Sequence, residues 1–179
     1  MNITGENIFI KVIAKYFLAV VIFFSLAAGS GKPDAKFIFQ NRNFSEFYTA
    51  LNSQDTIKIN LLLKISIDDS SSTSIAYRGA LLMKKAELKK SKHEKLILFK
   101  EGRILLEGVI KKENQNAEFR FLRLIIQENC PEFLRYHDNI KEDADAVKRY
   151  YQNFPPGLKH AVSGYSKVSG TLKPADFEK

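Results

Sequence analysis

The chain of 179 residues is basic, with a formal net charge of +8, and contains a single cysteine. One cysteine excludes an intramolecular disulfide, so an apolar core must stabilise the fold. Without its N-terminal segment the chain has the length of one ordinary domain. The positive charge favours acidic partners such as anionic lipid headgroups, cell-surface polymers and nucleic acid, but it serves solubility equally well.

The N-terminal residues 1–29 have the pattern of a secretory signal peptide. A polar segment with two lysines precedes the apolar run 16–26, and small residues follow at 27–31. This is the order of the regions in an export signal. The run is shorter than the roughly 20 residues of a membrane-spanning helix, so we predict cleavage after Ala27 or Gly29, with a retained anchor as the alternative. The mature protein is then periplasmic or secreted, with no stable membrane span.

The rest of the sequence predicts an all-α fold. We expect a single domain at 44–168, with about six or seven helices arranged as antiparallel hairpins, either TPR-like or as an irregular helical bundle. Residues 30–43 are predicted to be an irregular leader and residues 169–179 a flexible tail. The segment 57–61 also alternates as a strand would, but no second strand-like segment offers a partner, so we expect a helix there.

Capping residues and prolines mark the helix boundaries. N-caps are predicted at Ser45, Asp55, Thr73 or Ser74, Ser91 and Asp138. Glu94 follows Ser91 at the spacing of a capping box. The helix 117–129 is apolar on most sides and should be central, and Pro131 ends it. Two further helices are predicted at 138–153 and 156–168.

Small residues indicate where two helices approach closely. The helix that begins near residue 74 carries Ala76, Gly79, Ala80 and Ala86, which allow close contact with a neighbour. Gly102 in the following helix is the expected contact point.

A helix and turn at 99–118 resemble the second helix and turn of a tetratricopeptide repeat. Gly102, Leu106, Val109 and Asn114 occupy the spacing at which that family has a small residue, an aromatic, a small residue and a turn proline. Leu106 and Asn114 depart from those residue types, and the preceding helix lies outside the 34-residue period of the family. The resemblance therefore implies hairpins similar to these repeats and no regular array.

Three further segments, 76–86, 118–123 and 129–134, look like those of a family of uncharacterised exported bacterial proteins. Together with the intervening helices they cover most of the mature chain. The resemblance implies export and an all-helical fold, and it brings no activity with it.

Two arginines on the apolar helix form the principal candidate ligand site. Arg120 and Arg123 are three residues apart, and Gln127 follows one turn later on the same side. With Tyr136 they form a candidate pocket for a carboxylate or phosphate, which paired guanidiniums bind well. The alternative is an internal ion pair that orients neighbouring helices, for which the candidate partners are Glu101, Glu107 and Glu118.

The other candidate sites carry weaker signals. Cys130 has no basic neighbour in the sequence that would activate it, so we interpret it as a buried apolar residue. The three histidines lack metal-ligand spacing, and no metal or cofactor is predicted. Acidic residues at 142 and 143 fit the first turn of a helix. A lysine cluster surrounds one turn between helices, and its members are Lys84, Lys85, Lys89, Lys90, Lys92 and Lys95.

These observations favour a binding protein over an enzyme. No catalytic motif is found, so the first hypothesis is an exported non-enzymatic helical module that binds a protein or peptide partner in the cell envelope. The alternative is a small anionic-ligand binder or enzyme with its pocket around Arg120 and Arg123. The lysine cluster lacks the interleaved aromatics of single-stranded nucleic-acid binding, so no nucleic acid is expected. A weak contact with an anionic envelope surface is a third hypothesis.

Overall fold

The computed structural model describes residues 44–178, so the predicted signal peptide and leader lie outside the described residues. Within this range the chain forms seven α-helices and no strand. The helices are α1 Phe44–Leu51, α2 Thr56–Ser66, α3 Ser72–Glu87, α4 Lys92–Lys112, α5 Ala117–Asn129, α6 Ile140–Tyr150 and α7 Pro156–Tyr165. Seven helices without a strand among these residues confirm the predicted all-α class. All described residues belong to one compact unit.

The helix starts follow from side-chain capping. The Asp55 carboxylate accepts hydrogen bonds from the first turn of α2, as predicted. The Ser91 hydroxyl caps α4 by accepting from the Glu94 N–H, but the Glu94 carboxylate pairs with Lys89 instead of completing a capping box. Helix α3 begins earlier than predicted because Ser71, and neither Thr73 nor Ser74, provides its cap.

The boundaries of the last two helices also differ from the prediction. Asn139 stands at the N-cap of α6 in place of Asp138, without a side-chain capping bond. Helix α6 ends at Tyr150, and a 3-10 turn at Tyr151–Asn153 continues it. Pro156 is the first residue of α7, as expected, but the helix ends at Tyr165 and does not reach Val168.

Helix α5 is the central helix of the domain. It contacts α3, α4 and α6, and Phe119, Phe121, Leu122 and Leu124 on it are fully buried. Apolar residues on several faces of one helix require neighbours on several sides, which explains why α5 is enclosed. Burial of these side chains contributes to the apolar stabilisation of the core.

Two glycines hold α3 and α4 in close contact. A Cβ atom added at Gly102 would lie 2.4 Å from the Gly79 carbonyl oxygen, and one at Gly79 would lie 2.8 Å from the Gly102 carbonyl oxygen. Neither position can accept a side chain without separating the helices. The predicted contact point is therefore confirmed, and its partner is Gly79.

Residues 169–178 do not behave as the flexible tail that the sequence suggested. Leu172 is fully buried in the core. The carboxylate of Glu128 on α5 accepts hydrogen bonds from the hydroxyls of Ser169 and Thr171 and from the Thr171 N–H. The small polar residues, which in the sequence look like those of a solvated tail, anchor the segment to the central helix instead.

Candidate functional site

Arg123 forms the most buried ion pair of the described residues. Its Nε and Nη2 atoms donate to Asp143 Oδ2 and Oδ1 at 2.7 and 2.8 Å, which is the bidentate geometry of a strong guanidinium-carboxylate pair. Its Nη1 atom donates to Glu107 Oε2 at 3.0 Å. Asp143 is fully buried and Arg123 is 5% exposed. This one side chain therefore connects α4, α5 and α6.

Arg120 lies one turn earlier on α5 and is paired as well. Its Nη1 atom donates to Glu142 Oε1 at 2.6 Å and to Asp143 Oδ1 at 3.2 Å. Its Nε atom donates to the carbonyl oxygen of Asn114 at 2.7 Å. Its charge is thus directed toward the first turn of α6 and the turn before α5.

Tyr136 joins the same group of side chains through Glu107. The buried Tyr136 hydroxyl donates to Glu107 Oε1 at 2.6 Å, and the Arg103 guanidinium lies 4.5 Å from the centre of the ring. Burial, followed by the bond to Glu107, raises the pKa of this hydroxyl above its usual value. We call the connected set the arginine network, and its members are Glu107, Arg120, Arg123, Tyr136, Glu142 and Asp143.

Gln127, the fourth predicted ligand residue, lies beside this network without joining it. Its side chain is fully buried, and its Nε2 atom donates to Asn139 Oδ1 at 3.4 Å. Its Oε1 atom has no hydrogen-bond partner among the described residues. The structure thus brings Arg120, Arg123 and Tyr136 together and places Gln127 next to the loop before α6.

Carboxyl groups outnumber guanidiniums inside the arginine network. Burial raises the pKa of Asp143, and the two guanidiniums oppose that rise. Burial alone would lower the pKa of Arg123, but the hydrogen bonds and charges of Asp143 and Glu107 raise it overall. The bond from Arg120 lowers the pKa of Glu142. Two guanidiniums face three carboxyl groups, so an incoming anion would have to displace a buried carboxylate.

Of the three partners that the sequence suggested for the arginines, the structure shows Glu107 alone. Glu101 and Glu107 are six residues apart on α4, about 240° around the helix, so they cannot both face α5. Glu118 is engaged elsewhere. The main partner, Asp143, belongs to an acidic first turn that the sequence explained by the helix dipole alone.

Glu118, which the sequence suggested only as a partner for the arginines, is a carboxyl group with an unusual environment. The Tyr77 hydroxyl on α3 donates to it across the domain. Burial raises the pKa of Glu118 to about 7, although the bond from Tyr77 opposes the rise. A carboxyl group of this kind changes its charge near neutral pH. In the sequence it is one of several charged residues on a mainly apolar helix.

An open depression lies beside Glu118, between the start of α5 and the junction of α6 and α7. Its volume is about 270 Å³. Two features distinguish it, a cluster of side-chain amides and an aromatic rim. We call it the aromatic depression, and it is lined by Gln115, Asn116, Ala117, Glu118, Tyr150, Asn153, Phe154, Pro155 and Leu158.

The aromatic residues near this junction have two different roles. Tyr151 packs on Phe177, with ring centres 4.5 Å apart, and so closes the junction. Tyr150 is instead half-buried on the rim, and its hydroxyl donates to Gln115 Oε1 at 3.2 Å. One of two adjacent tyrosines therefore contributes to a surface.

A second depression, of about 450 Å³, lies at the lysine cluster. It opens between α2 and the turn that joins α3 to α4. We call it the lysine depression, and it is lined by Thr56, Asn60, Lys85, Leu88, Lys89, Lys90 and Glu94.

Cys130 has a basic neighbour that sequence reasoning missed. His137 Nε2 lies 3.4 Å from the Cys130 sulfur and 3.0 Å from the carbonyl oxygen of the same residue. A carbonyl oxygen only accepts hydrogen bonds, so a neutral His137 must carry its proton on Nε2 to bond to it. Because the same Nε2 atom faces the thiol, it cannot then act as a base toward Cys130. Burial raises the pKa of the Cys130 thiol. The half-buried cysteine therefore remains a thiol, in line with a packing role.

Neither a metal centre nor a recognised family defines the site. In the part of the chain that the structure describes, no three His, Cys, Asp or Glu side chains group as metal ligands. None of the helices between residues 44 and 178 is long and apolar enough to cross a membrane. Comparison of the chain with protein families, curated proteins and solved structures gives no match.

Proposed function

We propose that this protein is an exported, non-enzymatic helical module that binds a protein or peptide partner in the cell envelope, and that the partner docks at the aromatic depression. The observation that carries this proposal is the open depression of about 270 Å³ with its amide and aromatic lining. The remaining support comes from the chemistry of that lining, from the pairing of the arginines and from the N-terminal sequence.

The lining has the chemistry of a protein-protein contact. Tyrosine and phenylalanine are enriched at such interfaces because their rings bury a large area with little loss of side-chain freedom. Gln115 and Asn153 are exposed beside these rings and supply amide donors and acceptors. Peptide backbones offer the complementary groups, so an extended segment or a loop of a partner fits this surface.

The size and openness of the depression favour a polypeptide over a metabolite. Pockets for small ligands enclose most of the ligand and span roughly 300–1,000 Å³. The aromatic depression is smaller, at about 270 Å³, and lies open to solvent. It matches one or two side chains of a larger partner, whose remaining contacts would extend over the surrounding surface.

The pairing of both arginines supports this proposal over an anion-binding pocket. A ligand at Arg120 and Arg123 would have to compete with Asp143, which is fully buried and bonded by both guanidiniums. Removal of a charged group from such a pair costs several kcal/mol. The network is therefore better suited to fixing helices than to exchanging ligands.

Export is the part of the proposal that rests on sequence alone. The n-region, apolar run and small residues at 1–31 support a cleaved signal and a periplasmic or secreted protein. The helical hairpins around α4, which resemble tetratricopeptide repeats, fit a binding role because such hairpins present extended surfaces to partners. N-terminal sequencing of the secreted or periplasmic chain should show a start at residue 28 or 30; an intact Met1 there would contradict a cleaved signal.

Photo-crosslinking in intact cells tests the docking surface. A photoreactive amino acid, p-benzoylphenylalanine, is placed at Gln115 or Asn153 in the full chain, and at exposed Lys141 on α6 as a control. We expect a discrete higher-mass adduct with one polypeptide from both depression positions and not from Lys141. Equal adducts from all three positions, or none from the depression, would contradict docking there.

A matched pair of substitutions then tests whether the contact contributes to affinity. Asn153→Arg adds bulk and charge to the depression, whereas Gln152→Arg makes the same kind of change at an exposed neighbour that does not line it. Binding to the crosslinked partner should fall at least about 10-fold for Asn153→Arg, the loss of roughly 1.4 kcal/mol, and stay within twofold for Gln152→Arg. Equal effects of the two variants would place the contact elsewhere.

A further inference from the structure

The turn between α3 and α4 concentrates positive charge far beyond what its ion pairs neutralise. Six lysines and two glutamates lie between residues 84 and 95. Glu87 pairs with Lys84 at 2.8 Å, and Glu94 pairs with Lys89 at 3.6 Å. Both glutamates are more than half exposed, so water screens these ion pairs and they are weak. The region therefore keeps a strongly positive surface.

The direction of α4 increases this positive potential. Lys92 and Lys95 lie in the first turn of the helix, where the backbone N–H groups give the helix a partial positive charge. Lysines at this end of a helix are destabilising by themselves. An anion next to them would offset both the helix dipole and the lysine charges.

The lysine depression places side chains that bind phosphate on two sides of one space. Lys85, Lys89 and Lys90 line it from the turn, and Thr56 and Asn60 line it from α2. Ammonium, hydroxyl and amide groups are all hydrogen-bond donors to phosphate oxygens. Its volume of about 450 Å³ leaves room for a headgroup.

Large apolar side chains are exposed on both helices that border this depression. Ile57 and Leu61 directly follow Thr56 and Asn60 along α2, and they are 81% and 56% exposed. Leu96 and Ile97 lie within a turn of Glu94 on α4, and they are 57% and 50% exposed. A soluble phosphate compound would leave these four side chains in water.

We propose that the lysine depression and its apolar borders form a docking surface for anionic phospholipid membranes. The lysines bind lipid phosphates, and Ile57, Leu61, Leu96 and Ile97 enter the boundary between headgroups and acyl chains. Basic residues next to exposed aliphatic side chains are the pattern of proteins that lie on a membrane surface. This surface is separate from the aromatic depression, so the protein can bind a membrane and a partner at the same time.

Vesicle sedimentation tests this proposal with the chain that starts at residue 30. The probes are vesicles of phosphatidylcholine alone and vesicles with phosphatidylcholine and phosphatidylglycerol at 7:3. The wild type should bind the anionic vesicles and not the neutral ones. The triple variant Lys85→Gln/Lys89→Gln/Lys90→Gln should bind about 100-fold more weakly, because each lysine near an anionic surface contributes about 1 kcal/mol, or about fivefold.

A triple variant of exposed lysines elsewhere provides the control for net charge. Lys111→Gln/Lys112→Gln/Lys141→Gln removes the same charge, and Lys111 lies about 30 Å along α4 from its start, several Debye lengths away. This control should bind within about threefold of the wild type. An equal loss in both triple variants would show that overall charge drives binding, which would overturn the proposal.

Two further results separate a membrane surface from a soluble anion. Leu96→Gln/Ile97→Gln leaves every lysine in place and should weaken vesicle binding at least about tenfold. Two apolar side chains that become buried in the membrane contribute a few kcal/mol to binding. Unchanged binding would overturn the apolar part of the docking surface. Millimolar inorganic phosphate that shifts the NMR signals of Lys89 and Lys90, in a protein that sediments with neither vesicle, would assign the site to a soluble phosphate and overturn a membrane role.

Discussion

Two contacts between helices in this domain are made by opposite means. Helices α3 and α4 meet through Gly79 and Gly102, where backbone approaches backbone and a single methyl group would not fit. Helices α5 and α6 are instead connected by Arg123 and Asp143, two charged side chains removed from water. The first contact excludes side chains, and the second depends on them.

A small helical domain can therefore hold charged side chains in its interior when they pair with one another. The glycine contact gains its stability from close packing, which requires only the right residue sizes. The arginine contact fixes the orientation of α5 relative to α6, because a guanidinium binds a carboxylate in one bidentate geometry. Two arginines whose spacing in the sequence predicts an anion-binding pair therefore connect three helices in the structure.

The largest expected effect comes from breaking the charged contact. Arg123→Met leaves the fully buried Asp143 carboxylate with Arg120 alone, so the free energy of unfolding should fall by about 3–5 kcal/mol. Urea denaturation at pH 7 measures this change. The exposed Arg149→Met on α6 is the control and should stay within about 0.5 kcal/mol of the wild type. A loss below about 1 kcal/mol for Arg123→Met would show that the pair is not important for stability.

The contact between α3 and α5 depends on pH, unlike the glycine contact. The pKa of Glu118 in the folded protein is about 7, above its value near 4.3 in the unfolded chain, so the folded state binds more protons between these values. This carboxyl group therefore destabilises the fold as the pH rises from about 4.5 to 8, by roughly 3 kcal/mol in total, and the effect levels off above that pH.

Glu118→Gln removes the charge and keeps an oxygen that can accept from Tyr77. The variant should gain stability relative to the wild type as the pH rises, by about 3 kcal/mol at most. Urea denaturation at pH 4.5 and pH 8 measures the difference. Glu132→Gln, at an exposed position, should follow the wild type at both pH values. A constant difference between Glu118→Gln and the wild type would contradict the shifted pKa.

Breaking the glycine contact should have a smaller effect. Gly102→Ala places a methyl group 2.4 Å from a backbone oxygen, so α3 and α4 must separate, at a cost of about 2 kcal/mol. Gly108→Ala on the same helix meets nothing within 4 Å and should stabilise the protein by about 0.5–1 kcal/mol. Thermal unfolding compares the two variants. The same sign for both would show that the seam between α3 and α4 is not close-packed.

The smallest effect belongs to the exposed end of the arginine network. The Glu142 side chain is 62% exposed, although its oxygen lies 2.6 Å from Arg120. Glu142→Gln should therefore lower the free energy of unfolding by less than about 1 kcal/mol, and 1 M NaCl should remove most of the difference. Asp145→Asn, also exposed on α6, is the control. A large, salt-independent loss for Glu142→Gln would place this pair in the buried part of the network.

The sequence predicts much of the fold because the relevant signals are local. Asp55 and Ser91 cap their helices through bonds to backbone groups two or three residues away. The close contact at Gly102 follows from the small residues of α3, although the sequence could not single out Gly79 as its partner. Such signals depend on spacing along one helix.

The candidate site was harder to predict because its contacts join distant parts of the chain. Arg123 and Asp143 are 20 residues apart, and an acidic residue in the first turn of a helix needs no partner to explain it. Glu128 likewise holds residues 169–171, some 41–43 residues away, which look like a solvated tail in the sequence. The aromatic depression depends on how the junction of α6 and α7 packs beside the start of α5.

The most direct test of the charged contact is a double-mutant cycle in urea with Arg123→Met, Asp143→Asn and the double variant. A structural pair predicts a coupling energy of about 2 kcal/mol or more, with the double variant more stable than the sum of the single losses implies. It also predicts that millimolar citrate or phosphate leaves the stability of the wild type unchanged. A coupling energy near zero, together with stabilisation by citrate that Arg123→Met abolishes, would contradict this account and make the arginines an anion-binding site.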